Sequence, residues 1–150
     1  MTEHLGGPET AEQVERRHQR YVAATRSGGF GDFDSEFKAF IFKAILEPEG
    51  DDVGSVSFWD RVWKGQVVYE MGWGVVPEFQ GRHVASAMVA QAIDIARETK
   101  RRSAVHAFPS VDNAPSNAIC RRAGFTLFAE VPFEYQGHRM QSNDWSLSLR

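Results

Sequence analysis

Two short stretches of this 150-residue chain carry residue types that could do chemistry together. The first is Glu70, inside the run VVYEMGWGVV (67–76). As a strand, this run puts Tyr69, Met71, Trp73 and Val75 on one face and Glu70, Gly72, Gly74 and Val76 on the other. One face is large and apolar; the opposite one carries a carboxylate beside two missing side chains. Glycine weakens a strand interior unless something must approach the backbone, and Pro77 ends the donor ladder and leaves an open edge. A carboxylate held there could take a proton in a reaction. It could equally be a solvated strand residue, with the glycines marking a bulge. The second stretch, QGRHVAS (80–86), opens a helix whose first N–H groups have no acceptor inside it. Such an N-terminus attracts anions, phosphates above all. Gly81 permits unusual backbone angles, and Arg82 adds a permanent cation. The turn is neither a GxxxxGK[ST] phosphate loop nor a GxGxxG fingerprint, and taken alone it is a weak signal.

The elements that must position these stretches read in order. Residues 9–26 are rich in helix formers and stop at SGG. After the loop FGDFDSE, residues 37–46 (FKAFIFKAIL) read as a strand buried on both faces. EPEGDD turns the chain into an alternating strand over 53–59, RVWKGQ makes the next turn, and 67–76 is the third strand. A helix then runs to about Thr99, with Val84, Met88, Ala92, Ile95 and Ala96 as its apolar stripe. SAVHAF (103–108) is a short strand. Residues 112–124 form a helix capped by Asp112 or Asn113, with Pro115 in its first turn, Arg121 and Arg122 in its last, and Gly124 at its end. A long hairpin around QGH closes the chain. No repeat, low-complexity segment or linker interrupts it, which predicts a single mixed α/β domain over 1–150.

Composition narrows the possibilities. At 42% hydrophobic the chain can bury a real core. It contains no apolar run near the roughly 20 residues that span a bilayer. MTEHLGGPET lacks a signal pattern, and Cys120 is the one cysteine, so a reducing, cytoplasmic setting is expected. The histidines at 4, 18, 83, 106 and 138 are scattered, which predicts no metal site. A net charge of −3 and a pI near 5.9 argue against nucleic acid as the main partner.

Taken together, these motifs resemble the GNAT superfamily of acyl-CoA-dependent N-acetyltransferases. Its Q/R-x-x-G-x-G/A turn is met by Gln80 to Ala85, with His83 at the first glycine position. Its N-x-x-S/A-x-x-x-Y signature, followed by G-F, is met by Asn113, Ser116, Gly124 and Phe125, with Cys120 in place of the tyrosine. Glu70 stands ten residues before the glutamine, where some members keep a base, and the closing DWSLSL is typical of bacterial members, with a lean towards the ribosomal-protein N-terminal acetyltransferases. The resemblance implies a mostly antiparallel sheet with a splayed pair of strands, flanked by helices, and acetyl-CoA as cosubstrate without a metal. The diphosphate would lie on the amides of Gly81, Arg82, His83, Val84, Ala85 and Ser86. The pantetheine arm would pair with the edge at Gly74, Val75 and Val76 like an added strand. A backbone N–H near Gly74 or Val75 would polarise the thioester, and Asn113 and Ser116 would touch the cofactor arm. The family usually begins with a strand that MTEHLGGP does not readily supply.

The acceptor implied is a primary amine, on a small molecule or a peptide N-terminus, taken by a monomer or homodimer, with no nucleic acid or membrane involved. Freeing a lysine-type amine at neutral pH costs about 4–5 kcal/mol and an α-amine about 1–2 kcal/mol, so a base is needed. Glu70 is the first candidate, provided burial raises its pKa; His106 on the next strand is the second. A half-buried structural histidine is its plain alternative, while Glu78 and Asp112 read more simply as turn and cap residues. Cys120 could return a proton to the thiolate, or could be a small buried hydrophobe. Phe30, Phe33, Trp59, Trp63 and Phe133 could line an acceptor pocket or simply pack. Asp32, Asp34 and Glu36 could draw in a cation or be a solvated loop. The missing tyrosine leaves a second reading open, a non-catalytic acyl-CoA-binding module.

Overall fold

A computed structural model describes Glu12, Arg16, Gln19 and residues 37–135 and 137–150. Glu12, Arg16 and Gln19 are helical, as the pattern of 9–26 predicts; the rest of that segment, the loop with Phe30 and Phe33, and Asp32, Asp34 and Glu36 lie outside the described residues.

Among the described residues one sheet of six strands organises the molecule, in the order β1-β2-β3-β4-β6-β5. The strands are β1 (Ala39–Leu46), β2 (Asp51–Trp63), β3 (Gln66–Val75), β4 (Ala104–Ala107), β5 (Thr126–Tyr135) and β6 (His138–Ser148). Helix α1 (Val84–Thr99) follows β3, and α2 (Ala114–Arg122) follows β4. Every neighbouring pair is antiparallel except β3 with β4. This is the mixed sheet with flanking helices expected for the fold class.

Two local readings are corrected. RVWKGQ is not a turn: β2 continues through Trp63, and the reversal takes only Lys64 and Gly65. Their φ values of 49° and 78° are those of a two-residue hairpin turn whose twist matches the strands it joins. Residues 37–46 are not buried on both faces either. Among the described residues β1 is an edge strand that sends Phe40, Phe42 and Ala44 to the core while Ile45 is 51% exposed. Aromatic and β-branched density marks a strand but does not say how many neighbours it has.

The core lies between one sheet face and the two helices. Phe58, Tyr69, Met71, Val105, Ala107 and Trp145 meet Met88, Val89, Ala92, Ile93 and Ala96 of α1 and Cys120 of α2. Phe58 stacks on Phe40 at 4.8 Å and meets Tyr69 edge-on at 4.9 Å. Burying each such side chain contributes about 1.5–3 kcal/mol. The α1 stripe of Val84, Met88, Ala92, Ile95 and Ala96 is thus centred slightly differently from its sequence reading, with Val89 and Ile93 fully inside. Two buried polar groups fix the joints. Asn117 donates to Ser110 O and Asn113 O at 2.9 and 2.8 Å and accepts from Asn143 and Trp145 at 2.8 Å, tying α2 to β6. Asp60 accepts from the Lys38 amide and pairs with Arg101 and Arg102, tying β2 to the end of α1.

Candidate active site

The site begins where two strands part. β3 and β4 share only the register pairs Tyr69↔Val105 and Glu70↔His106, after which the strands diverge. On its other side β3 pairs with β2 through Gly54↔Val75, and the Val76 amide donates to Val53 O at 2.9 Å. Antiparallel positions alternate in the direction of their polar groups. Gly72, Gly74 and Val76 therefore bond towards β2, and Met71, Trp73 and Val75 turn N–H and C=O towards the gap left by β4. The Gln80 side chain caps this edge by donating to Val75 O at 3.1 Å. The amide that faces the gap is thus that of Val75, while Gly74's faces β2.

A Cβ on Gly72 would sit 3.5 Å from the Trp59 ring, an ordinary contact that does not require a glycine. A Cβ on Gly54 of β2 would sit 2.3 Å from Gly74 O, so the close approach here is of the β2 and β3 backbones to one another. The gap lies at the edge of β3.

Past the 3₁₀ turn Pro77–Phe79, Gly81 (φ 75°) and His83 (φ 62°, ψ 14°) take left-handed conformations that swing the chain into α1. His83 is thus not in helical geometry; its position asks for the glycine of the family pattern because φ is positive there. Gly81, Arg82 and His83 are exposed, and Val84, Ala85 and Ser86 are half-buried. The first amide to find an acceptor is that of Ala87, on His83 O at 3.1 Å, so the amides of Gly81 to Ser86 are without backbone partners among the described residues. Asn113 and Ser116 sit at the start of α2, where the Asn113 side chain accepts from the Ser116 amide at 3.2 Å as an N-cap.

The sheet face opposite the core carries a connected polar and aromatic cluster. Glu70, 8% exposed, pairs with the Arg61 guanidinium and accepts from Trp59, its register partner on β2. Burial raises its pKa above the ordinary carboxylate range, and Arg61 pulls against that rise. Beside it, His106 places Nδ1 2.6 Å from Asp144 and Nε2 3.3 Å from the Ser146 hydroxyl. Asp144 is 1% exposed, and its other oxygen accepts from Trp63 at 3.0 Å and lies 3.5 Å from the Lys64 ammonium. The His106 ring stacks on Phe108, which stacks on Phe133.

The structure thus brings Glu70 and His106 side by side and leaves Cys120 elsewhere. Cys120 is fully buried in the core on the other side of the sheet, and desolvation pushes its thiol up to about 12. Arg61, Asp144 and Ser146 escaped the sequence reading. The period-two spacing of Trp59, Arg61 and Trp63, and of Asp144 and Ser146, was the available signal. Among the described residues no group of three or more His, Cys, Asp or Glu could hold a metal ion, and no helix is long and apolar enough to cross a membrane.

A mixed sheet whose parallel pair parts beside a helix with unengaged leading amides is the frame of an acyl-CoA-dependent transferase. The chain belongs to the GNAT acetyltransferases: the family model for the acetyltransferase (GNAT) domain matches residues 1–126. The family's acyl donor is acetyl-CoA. Solved structures share the fold. The yncA protein of Salmonella typhimurium, solved with its cofactor acetyl-CoA, superposes with a TM-score of 0.67 at 23% identity, over 91% of this chain and 74% of that one. The ribosomal-protein-S5-alanine acetyltransferase of Vibrio fischeri gives 0.70 at 17% identity, over 95% and 77%. A spermidine N-acetyltransferase chimera from Vibrio cholerae gives 0.63 at 14%, over 95% and 78%. No curated protein sequence matches the chain.

Proposed function

We propose that this protein transfers the acetyl group of acetyl-CoA to a primary amine, with His106 as the base that frees the amine and Asp144 as the residue that orients it. One observation carries the assignment: the buried Asp144 carboxylate holds His106 Nδ1 at 2.6 Å, at the last register pair before β3 and β4 part. With Nδ1–H donated to Asp144, the His106 lone pair sits on Nε2, where it accepts from Ser146 or takes a proton from an ammonium. Glu70, the first candidate in the sequence, is held by Arg61 and Trp59 and takes the lesser part of a charged neighbour.

Bound acetyl-CoA supplies an electrophilic thioester carbonyl. The amides of Gly81 to Ser86, with Arg82, hold the diphosphate. The Val75 N–H donates to the carbonyl oxygen from the open edge of β3, and that edge aligns the pantetheine amides. His106 lowers the cost of deprotonation, about 4–5 kcal/mol for a lysine-type amine, by accepting the proton as the nitrogen attacks; the C–S bond then breaks and the coenzyme A sulfur leaves as the thiol with that proton. Cys120, inside the core, exchanges no proton with the site.

The test is thiol release from acetyl-CoA against a panel of amines. We expect turnover in the wild type, a loss of about 10²–10⁴-fold in His106→Ala, a smaller loss in Glu70→Gln, and none in Cys120→Ser. Tight coenzyme A binding with no turnover on any amine would instead make the chain a non-catalytic acyl-CoA-binding module.

A further inference from the structure

Arg61 is the charged side chain of this face that the chemistry above leaves unused. Its guanidinium lies over three rings, 5.3 Å from the Trp63 centroid, 5.1 Å from Phe108 and 5.0 Å from Phe133. It donates through Nη1 to Glu70, its one hydrogen-bond acceptor among the described residues. A guanidinium has five N–H donors. Among the described residues Arg61's other N–H groups meet no protein acceptor, on a side chain 30% exposed and flanked by aromatic rings. Arginine–carboxylate pairs are frequently bidentate, whereas this one is made through Nη1 alone. Here the fork is pinned and its rim is left open.

The charges around it sharpen the point. Glu70 pairs with Arg61, and Asp144 with His106, Trp63 and Lys64, so both carboxylates already have partners. Phe133, one wall of the clamp, also borders an open hollow on the β5–β6 hairpin, lined with it by Pro132, Glu134, Arg139, Met140 and Gln141 and not by Arg61 or His106. Arg61 also pairs with Glu70, the register partner of His106, and both Arg61 and His106 lie against the Phe108 ring.

We propose that the acceptor is a small amine that also bears a carboxylate, of the amino-acid type, and that the free N–H groups of Arg61 receive the carboxylate and present the amine to His106. This rests on the acetyltransferase reading above. A second positive charge on the acceptor, as in a polyamine, would meet Arg61 as a like charge.

The experiment compares kcat/KM for acetylation of three sets of amines matched in side chain: free amino acids, their carboxamides and the corresponding decarboxylated amines, with a polyamine as a fourth arm. The wild type should favour the acids by on the order of ten- to a hundredfold, as expected for one charge-assisted pair. Arg61→Gln should bring the ratio of acid to amide close to one, chiefly through KM for the acid, and Arg61→Lys should restore part of it. Equal or better turnover of the amides, decarboxylated amines or polyamine by the wild type overturns the proposal, as does a preference that survives in Arg61→Gln. The wild-type panel decides the matter even where the variant does not fold. Turnover without a carboxylate preference removes this inference alone, whereas no thiol release with any amine removes the acetyltransferase reading beneath it.

Discussion

His83 stands at φ 62° at the mouth of α1, and its side chain makes no cap hydrogen bond. A residue with a Cβ in this region costs about 1–2 kcal/mol relative to right-handed geometry, and glycine returns part of that gain as chain entropy when unfolded. We therefore expect His83→Gly to raise stability by about 0.5–1 kcal/mol in urea or thermal unfolding. An unchanged or lowered midpoint would mean that the imidazole contributes there in a way its conformation does not show. The residue was recognisable from the sequence as a departure from a motif, but the reason for the motif, a left-handed backbone, is a dihedral angle and has no letter. Gln80 to Ser86 could be read because the motif is contiguous. The pair of His106 with Asp144 could not, because the two are joined across β4 and β6 from positions 38 residues apart. Glu70 was legible as a carboxylate on a strand and its burial was not, and its arginine lay in a segment read as a turn.

At the scale of elements, the working edge of β3 depends on how closely β2 approaches it. The two backbones meet at Gly54 and Gly74, where an added methyl on Gly54 would come within 2.3 Å of a carbonyl oxygen. Gly54→Ala should thus push the strands apart, costing about 1–3 kcal/mol in stability. It should also turn the Val75 amide from its direction, weakening coenzyme A binding in calorimetry more than a remote variant of equal stability does. Intact affinity in a folded Gly54→Ala protein would mean that the edge does not depend on this contact. Sequence periodicity located each of the strands β1 to β6 and both helices. It missed the length of β2 because hairpin turns of two residues need positive φ values, and Lys64 gives less notice of one than asparagine does. It overstated the burial of β1 because strand order is a tertiary property.

For the molecule as a whole, the sheet face opposite the core sets a dependence on pH. The pKa of Glu70 is raised on folding, so the folded state binds a proton more readily than the unfolded chain, and stability falls as pH rises from the ordinary carboxylate pKa to the raised one. Below that window Glu70 is protonated in both states and behaves like glutamine. The stability of wild type relative to Glu70→Gln should therefore decline as pH rises through the window and level off above it, as read from denaturation midpoints at a series of pH values. A constant difference would mean that Arg61 fully offsets the burial. The paired strands also fall into two groups, β1-β2-β3 and β4-β6-β5, whose ladders run long within each group and meet at just two residue pairs. Because the backbone seam is so short, the halves are held mostly by the shared side-chain core, and the donor's arm would act as a detachable suture along that seam. With the arm seated there as proposed, loading and release would tighten and slacken the seam between the two groups of strands.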